Sequence, residues 1–215
     1  MQKSLDDFIY KVEHKLLPSL DMKSPHPYDP IQVISVAKGW KCLGVGNYAA
    51  VFMNNQYPDW VVKVYAREEE AAELEADVYK QIGPHPAYSE LIYQSKHYLI
   101  LKRLRGITLY DALHRAVRIP KQVIEDVEEA LQYARKKGLT PCDVHGKNVM
   151  MENGRGYVVD VSDFYLEKED RKWRDLSKAY YKLYVPTLLK LPIPIPHFVL
   201  NLSRYGYRIY RKWKK

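Results

Sequence analysis

The stretch Thr140–Asp160, TPCDVHGKNVMMENGRGYVVD, constrains this chain more than any other. Asp143 and Asn148 stand five residues apart in a turn-rich segment, and the apolar run Val149-Met150-Met151 follows. Glu152-Asn153-Gly154-Arg155-Gly156 reads as a hairpin turn, and Tyr157-Val158-Val159 as a short strand ending on Asp160. Two aspartates and an asparagine are thereby delivered to one end of a hairpin. A phosphoryl-transfer site needs those parts: one carboxylate to orient a hydroxyl, and an amide plus a carboxylate to hold magnesium. Asp and Asn are also common turn formers. What decides between the two readings is whether a nucleotide-binding half lies upstream.

Trp40 to Tyr65 has the pattern of three short strands. Gly44-Val45-Gly46-Asn47-Tyr48-Ala49-Ala50-Val51 joins the first two, and Trp60-Val61-Val62-Lys63-Val64-Tyr65 is the third. The glycines permit a tight turn whose backbone N–H groups can lie against phosphates, although a plain hairpin explains them equally well. A lysine in mid-strand ordinarily points to solvent, so Lys63 gains meaning only with a partner. Ala66 to Ile82 reads as a helix with Ala71, Leu74, Val78 and Ile82 inward and Gly83-Pro84 as its stop. A glutamate of this helix is the candidate partner for Lys63, whereas Glu68 to Glu70 suit an exposed acidic first turn. Two further strands lie between Tyr88 and Leu104. Lys121 to Lys137 is the clearest helix, with Val123, Val127, Ala130, Leu131 and Ala134 inward and Gly138 closing it; it feeds straight into Thr140.

Ahead of these elements, Leu5, Phe8, Ile9, Val12 and Leu16 share one helical face. Ser4 and Asp7 have capping-box spacing, and Pro18 is the expected stop. Ser24 to Pro30 is a proline-rich connector, and the folded body is expected to start near Ile31.

A hydrophobic fraction of 47% with 19 tyrosines argues for a folded chain and against disorder. Two cysteines, Cys42 and Cys142, give neither a disulfide framework nor metal spacing, as suits a reducing cytoplasm. The start, MQKSLDDFIY, lacks a signal-peptide pattern, and no apolar run reaches the ~20 residues of a membrane-spanning helix. The net charge of +8 is unevenly placed. Pro186 to Lys215 holds seven basic residues and no acidic one, leaving 27 basic against 26 acidic upstream. The end, SRYGYRIYRKWKK, could meet an acidic membrane surface, nucleic acid, an acidic protein or only water. At ~1 kcal/mol per basic residue, the cluster Arg211 to Lys215 gives weak adhesion to an anionic surface.

In their order, glycine loop, strand lysine, helix glutamate, D-x-x-x-x-N and a final aspartate, these features resemble the protein-kinase-like superfamily, in the style of Rio kinases and aminoglycoside phosphotransferases. The resemblance spans Gly44 to Asp160. It implies an α+β, two-lobed fold: a five-stranded N-lobe with one helix, about 31–104, and a reduced, mostly helical C-lobe, about 105–198. Residues 1–30 would be an N-terminal helix and connector, and 199–215 a basic tail. The resemblance further implies that ATP lies against Gly44, Val45, Gly46 and Val51, with Leu101 as gatekeeper and Lys102 and Leu104 in the hinge. The string from Glu75 to Ile82 resembles the helix whose glutamate pairs with the strand lysine in this family, so Lys63 would hold the α- and β-phosphates, braced by Glu75 with Glu73 as the fallback. Asp143 would be the base, and Asn148 and Asp160 the Mg²⁺ ligands.

The departures are informative. Where the family has H-R-D, this chain has Pro141-Cys142-Asp143, so the arginine that gathers a phosphorylated activation loop is absent. His145 replaces the lysine two residues after the base, at a site facing the γ-phosphate. Asp160-Val161-Ser162 keeps the metal ligand of D-F-G and loses the Phe and Gly, and no A-P-E-like segment follows. Asp175 is a candidate brace for the catalytic-loop backbone. The expectation is a cytoplasmic ATP- and Mg²⁺-dependent serine/threonine protein kinase acting on an unidentified acceptor, with weak anionic-surface binding by the tail, to membrane or nucleic acid, left open. The alternatives are a small-molecule or lipid-linked sugar kinase and a pseudokinase.

Overall fold

Ser4 starts the first helix by the rule its sequence obeys: its hydroxyl accepts the Asp7 N–H at 3.2 Å. The α-helix α1 (Leu5–Lys11) runs into a π-helical turn over Val12–Leu16 and ends in a short α-helical piece, α2 (Leu17–Ser19). Pro18 is therefore not the immediate stop expected of it. It sits in the first turn of α2, where its missing N–H is not needed, and the helix ends after Ser19. The structure, a computed structural model, describes residues 4–213 apart from 25, 27, 28, 68, 69 and 169, and gives only the backbone at 204 and 207–213. Three residues of the proline-rich connector, together with Glu68 and Glu69, thus lie outside the described residues. The chain divides into two units, Met1–Leu104 with Val161–Tyr165 and Arg105–Asp160 with Leu166–Lys215.

In the first unit, β1 (Asp21–Lys23) and β2 (Gln32–Ser35) form a small antiparallel pair. The main sheet has five antiparallel strands: β3 (Trp40–Val45), β4 (Ala49–Asn54), β5 (Trp60–Tyr65), β6 (Leu91–Gln94) and β7 (Tyr98–Lys102), in the order β3-β4-β5-β7-β6. One helix, α3 (Ala71–Ile82), packs on β6 and β7.

The register sorts side chains onto two faces. Val51 pairs with Lys63, Lys63 with Leu99, and Val61 with Leu101, so these five share one face. Ala50, Phe52, Val62, Val64, Tyr98 and Ile100 take the other, where Phe8, Val12 and Leu16 cover them. The N-terminal helix is therefore a layer of this unit. Phe8 is fully buried, with ring centroids 5.6 Å from Trp40, 4.9 Å from Tyr57 and 5.4 Å from Trp60. Tyr98 Oη donates to Glu13 Oε1 at 3.0 Å, and Tyr57 Oη donates to Asp7.

The helix α3 begins at Ala71, five residues later than its sequence suggested, and its buried face is Ala72, Glu75, Ala76, Val78, Tyr79 and Ile82. The expected face, built on Ala71 and Leu74, is rotated because the carboxylate of Glu75 sits at its centre.

In the second unit, β8 (Ile107–Thr108), β9 (Val149–Glu152) and β10 (Arg155–Val158) form a three-stranded sheet ordered β10-β9-β8. Its helices are α4 (Leu109–His114), α5 (Lys121–Lys136), α6 (Lys172–Ala179) with a π-helical extension over Tyr180–Tyr184, and α7 (His197–Trp213). Much of the segment read as a basic tail is thus helical; Lys214 and Lys215 lie outside the described residues.

Asn153 (φ 51°) and Gly154 (φ 77°) make the two-residue turn between β9 and β10, the double left-handed conformation that twist-matched hairpins use. The hairpin is pressed onto α5. A Cβ on Gly156 would lie 2.3 Å from the Val123 carbonyl oxygen, so only glycine fits. Asp126, buried on α5, takes the Arg155 guanidinium in two bonds of 2.8 Å and the Gly156 N–H in a third of 2.8 Å. Burial pushes the Asp126 carboxyl up, but the Arg155, Gly156 and Gln122 hydrogen bonds together outweigh it and hold it below the ordinary aspartate value.

Two predictions follow from this packing. Phe8→Ala, measured by chemical denaturation, should cost ~3–5 kcal/mol, as aromatic deletions in filled cores do. Tyr10→Ala on the exposed side of the same helix should stay within ~0.5 kcal/mol. For Asp126, a depressed folded-state pKa means that its stabilisation is present above the unfolded value of ~3.9 and is lost as pH falls from there through the lower folded value. Asp126→Ala should therefore destabilise at neutral pH by ~1–3 kcal/mol, because the Gly156 N–H loses its acceptor, and the difference should shrink below pH ~4. Denaturation midpoints across pH read both effects.

Candidate active site

Within the first unit, Glu75 is wholly buried and Lys63 is 8% exposed. Lys63 Nζ donates to Glu75 Oε2 at 2.6 Å and Oε1 at 2.9 Å, while Tyr65 Oη donates to Oε2 at 2.6 Å. The alternation of β5 puts Lys63 and Tyr65 on one face, and α3 lays Glu75 against them. Glu73, the fallback partner, is exposed. Tyr65 is a member of this cluster that sequence reasoning missed. Its period-two spacing from Lys63 was the available signal.

The same sheet face carries Val51, directly across from Lys63, then Gly44 across from Val51, and Leu101 two residues beyond Leu99. Leu101 is buried, Val51 half-buried, and Gly44, Val45 and Gly46 exposed. The tight turn does not explain the glycines. Neither Gly44 nor Gly46 has a left-handed φ, and a Cβ at Gly44 would meet nothing within 4 Å. The fold tolerates a side chain there, so what glycine preserves is open space beside the backbone. A phosphate approaching backbone N–H groups needs such space.

Lys102 turns its side chain to Glu90 at 2.5 Å. Its N–H goes to the Glu90 carbonyl and its own carbonyl accepts from Ser89 Oγ at 2.6 Å. What Lys102 can still offer a purine edge is the second lone pair of that carbonyl. Leu104 is half-buried at the end of this unit.

Within the second unit, the loop between α5 and β9 carries Asp143, His145 and Asn148. Buried Cys142 and Val144 anchor it, and the Gly146 carbonyl accepts the Tyr110 N–H at 2.9 Å. Asp143 has φ 55°, the left-handed region that aspartate tolerates better than most residues. Its backbone N–H donates to Asp170 Oδ2 at 2.8 Å, and Asp170 Oδ1 takes the Lys172 N–H at 3.0 Å. The carboxylate bonded to the Asp143 backbone is therefore that of Asp170, where sequence reasoning had nominated Asp175. Lys172 Nζ donates to Asp143 Oδ1, placing a cation directly on the carboxylate nominated as base. Neither Asp170 nor Lys172 was foreseen, since both lie more than 25 residues beyond Asp143.

His145 Nδ1 accepts the Lys147 N–H at 3.3 Å, so in the neutral ring the proton resides on Nε2. Nε2 lies 3.8 Å from Asp143 Oδ2. Asn148 Nδ2 donates to the Asp143 carbonyl at 3.1 Å, which leaves the amide oxygen as the atom a hard cation would take. The Asn148 carbonyl accepts the Val159 N–H at 3.0 Å, continuing the β9–β10 ladder by one step. Asp160, the next residue, thus leaves the same end of the hairpin that Asn148 enters.

Among the described residues no group of three or more His, Cys, Asp or Glu side chains forms a metal cage. One amide oxygen and one carboxylate is the donor set that magnesium accepts when phosphates and waters supply the rest. After Asp160 the chain passes into the first unit, where Phe164 is fully buried and meets Tyr88 edge-on at 6.4 Å.

Comparison with known proteins places this arrangement. No protein-family model matches the chain. YrzF of Bacillus subtilis, provisionally named a serine/threonine-protein kinase, is 31% identical over 169 residues, covering 77% of this chain and 78% of that protein. The serine/threonine-protein kinase KSP1 of Saccharomyces cerevisiae is 24% identical over 123 residues, 54% of this chain and only 12% of the much longer yeast protein. The kinase domain of Mycobacterium tuberculosis PknI aligns with a TM-score of 0.42 and 19% identity over 58% of this chain and 60% of that one, a likeness too slight to carry weight. The relationship to YrzF is close and extensive enough to decide the matter: the chain belongs to the protein-kinase-like superfamily.

Proposed function

We propose that this chain is an ATP- and Mg²⁺-dependent phosphotransferase acting on a hydroxyl, foremost a protein serine/threonine kinase. The observation that carries the reading is the buried Lys63–Glu75 pair on the sheet face that also holds Gly44, Val51 and Leu101. Burying an ion pair rarely adds stability over a well-packed apolar pair, so a lysine aimed from mid-strand at a helix carboxylate calls for a use. Holding phosphate oxygens is that use: Glu75 fixes the ammonium position, and the open backbone at Gly44 admits the phosphates.

In the second unit Asp143 orients the acceptor hydroxyl and takes its proton, while Asn148 and Asp160 are the residues that would hold magnesium. The metal, when bound, offsets charge on the transferring phosphate. Lys172, paired with Asp143, sets a cation against that carboxylate, and the Asp170 clamp holds its backbone. The acceptor could instead be a small molecule or a lipid-linked sugar, a second reading favoured by His145 beside Asp143 in place of the family's lysine. The basic C-terminal segment adds weak electrostatic adhesion to an anionic surface.

Two measurements test this reading. Saturating Mg-ATP should stabilise the protein, by ~2.7 kcal/mol at a hundred times Kd, and a thermal scan without any upward shift would remove nucleotide binding. Asp143→Asn should leave that shift intact while cutting transfer to a serine/threonine acceptor ~10²–10⁴-fold. Transfer at the unsubstituted rate would dismiss Asp143 as the base.

A further inference from the structure

The start of α7 is docked, and its other side is bare. His197 stacks on His114 with centroids 3.6 Å apart and on Tyr110 at 5.5 Å; Leu200 is buried, and Asn201 accepts from Tyr110 Oη at 2.9 Å. These contacts within the second unit fix the rotation of the helix. Phe198, Leu202 and Tyr205, spaced four and three apart, form a stripe that remains 72%, 66% and 61% exposed. The sequence continues that spacing with Ile209 and Trp213, and Leu191 and Ile193 just before the helix are also exposed. On the polar side of the helix, the sequence continues the row of His197, Leu200 and Asn201 with Arg204, Arg208 and Arg211, and Lys212 flanks the stripe; no acidic residue occurs anywhere in the helix.

We infer that α7 is an interfacial helix that lies in the surface of an anionic lipid bilayer, with the Phe198–Leu202–Tyr205 stripe in the acyl boundary and its basic residues among the headgroups. This deepens the electrostatic adhesion proposed above by adding an apolar component. The apolar stripe and the basic residues select the occupant together. Nucleic acid would satisfy the cations but gains little from phenylalanine and leucine laid against phosphates. A second copy of the same helix would cover the apolar stripe but bring like charges together. An anionic bilayer satisfies both, and a basic amphipathic helix is the form such contacts take. Among the described residues no helix is long and apolar enough to cross a membrane, so the contact is peripheral.

The test is co-sedimentation of the full-length protein with vesicles of phosphatidylcholine alone or mixed with phosphatidylglycerol, at about 0.1 M and about 1 M salt, where the screening length falls from ~10 Å to ~3 Å. Binding to mixed vesicles should fall about fivefold for each basic contact that salt screens, yet persist at high salt through the apolar stripe. Phe198→Ser and Leu202→Ser, both at exposed positions, should each weaken the salt-resistant binding about tenfold and leave the Mg-ATP thermal shift unchanged. Complete release by salt with both variants behaving as the parent would overturn the inserted stripe and leave only electrostatic adhesion. No binding even at low salt would overturn that adhesion as well. Tighter binding to duplex nucleic acid than to mixed vesicles would overturn the lipid assignment. None of these outcomes touches the kinase reading, which the thermal shift and Asp143→Asn decide separately.

Discussion

A carboxylate without any access to water must find all its hydrogen bonds inside the protein, and Glu75 meets that demand with Lys63 and Tyr65. Much of the first unit is arranged so that it can. Lys63 and Tyr65 must leave β5 on the same face, which fixes the strand register, and α3 must present its fifth residue to that face, which fixes the rotation of the helix. The alternate positions of β5, Trp60, Val62 and Val64, are thereby committed to the opposite face, and that face needs a cover of its own. The N-terminal helix provides it. One ionic contact and the period of a strand thus account for a layered arrangement of helix, sheet and helix.

The second unit solves a different problem, which is to hold an irregular loop still. Asp143 occupies a left-handed conformation that only surrounding contacts can maintain. Asp170 accepts its N–H, Asn148 donates to its carbonyl and Lys172 donates to Oδ1, so both backbone groups and one carboxylate oxygen are held by named partners. Gly156 pressed on Val123 and Asp126 bonded to Arg155 and the Gly156 N–H hold the hairpin that receives the loop. Positioning of this kind is what phosphoryl transfer asks of a protein.

Local chemistry made some of this legible in the sequence. The cap at Ser4, the Asn153-Gly154 turn and the long α5 helix rest on spacings of a few residues, and the fold follows them; the partner of Lys63, twelve residues away, was named through the family resemblance. Asp126 escaped notice because a polar residue near an apolar helical face reads as solvated until its partner 29 residues away is known. Asp170 and Lys172 were invisible for the same reason. The apolar face of the N-terminal helix implied that it packs on the domain, which it does, but could not name the sheet face it covers. Periodicity names the face of an element; only the fold names its neighbour.

The π-helical turn over Val12–Leu16 has a geometric consequence for that same helix. In a regular α-helix, residues four apart advance by more than one full turn, and each such step carries the side chain about 40° further round. Phe8, Val12 and Leu16 are four apart, so in strict α-geometry they would spiral away from a flat partner. The widened turn between Val12 and Leu16 winds the helix back and cancels the drift, and all three side chains reach zero exposure over the sheet. The extra residue is a phase correction. It lets a helix of rounded pitch lie straight along a pleated surface.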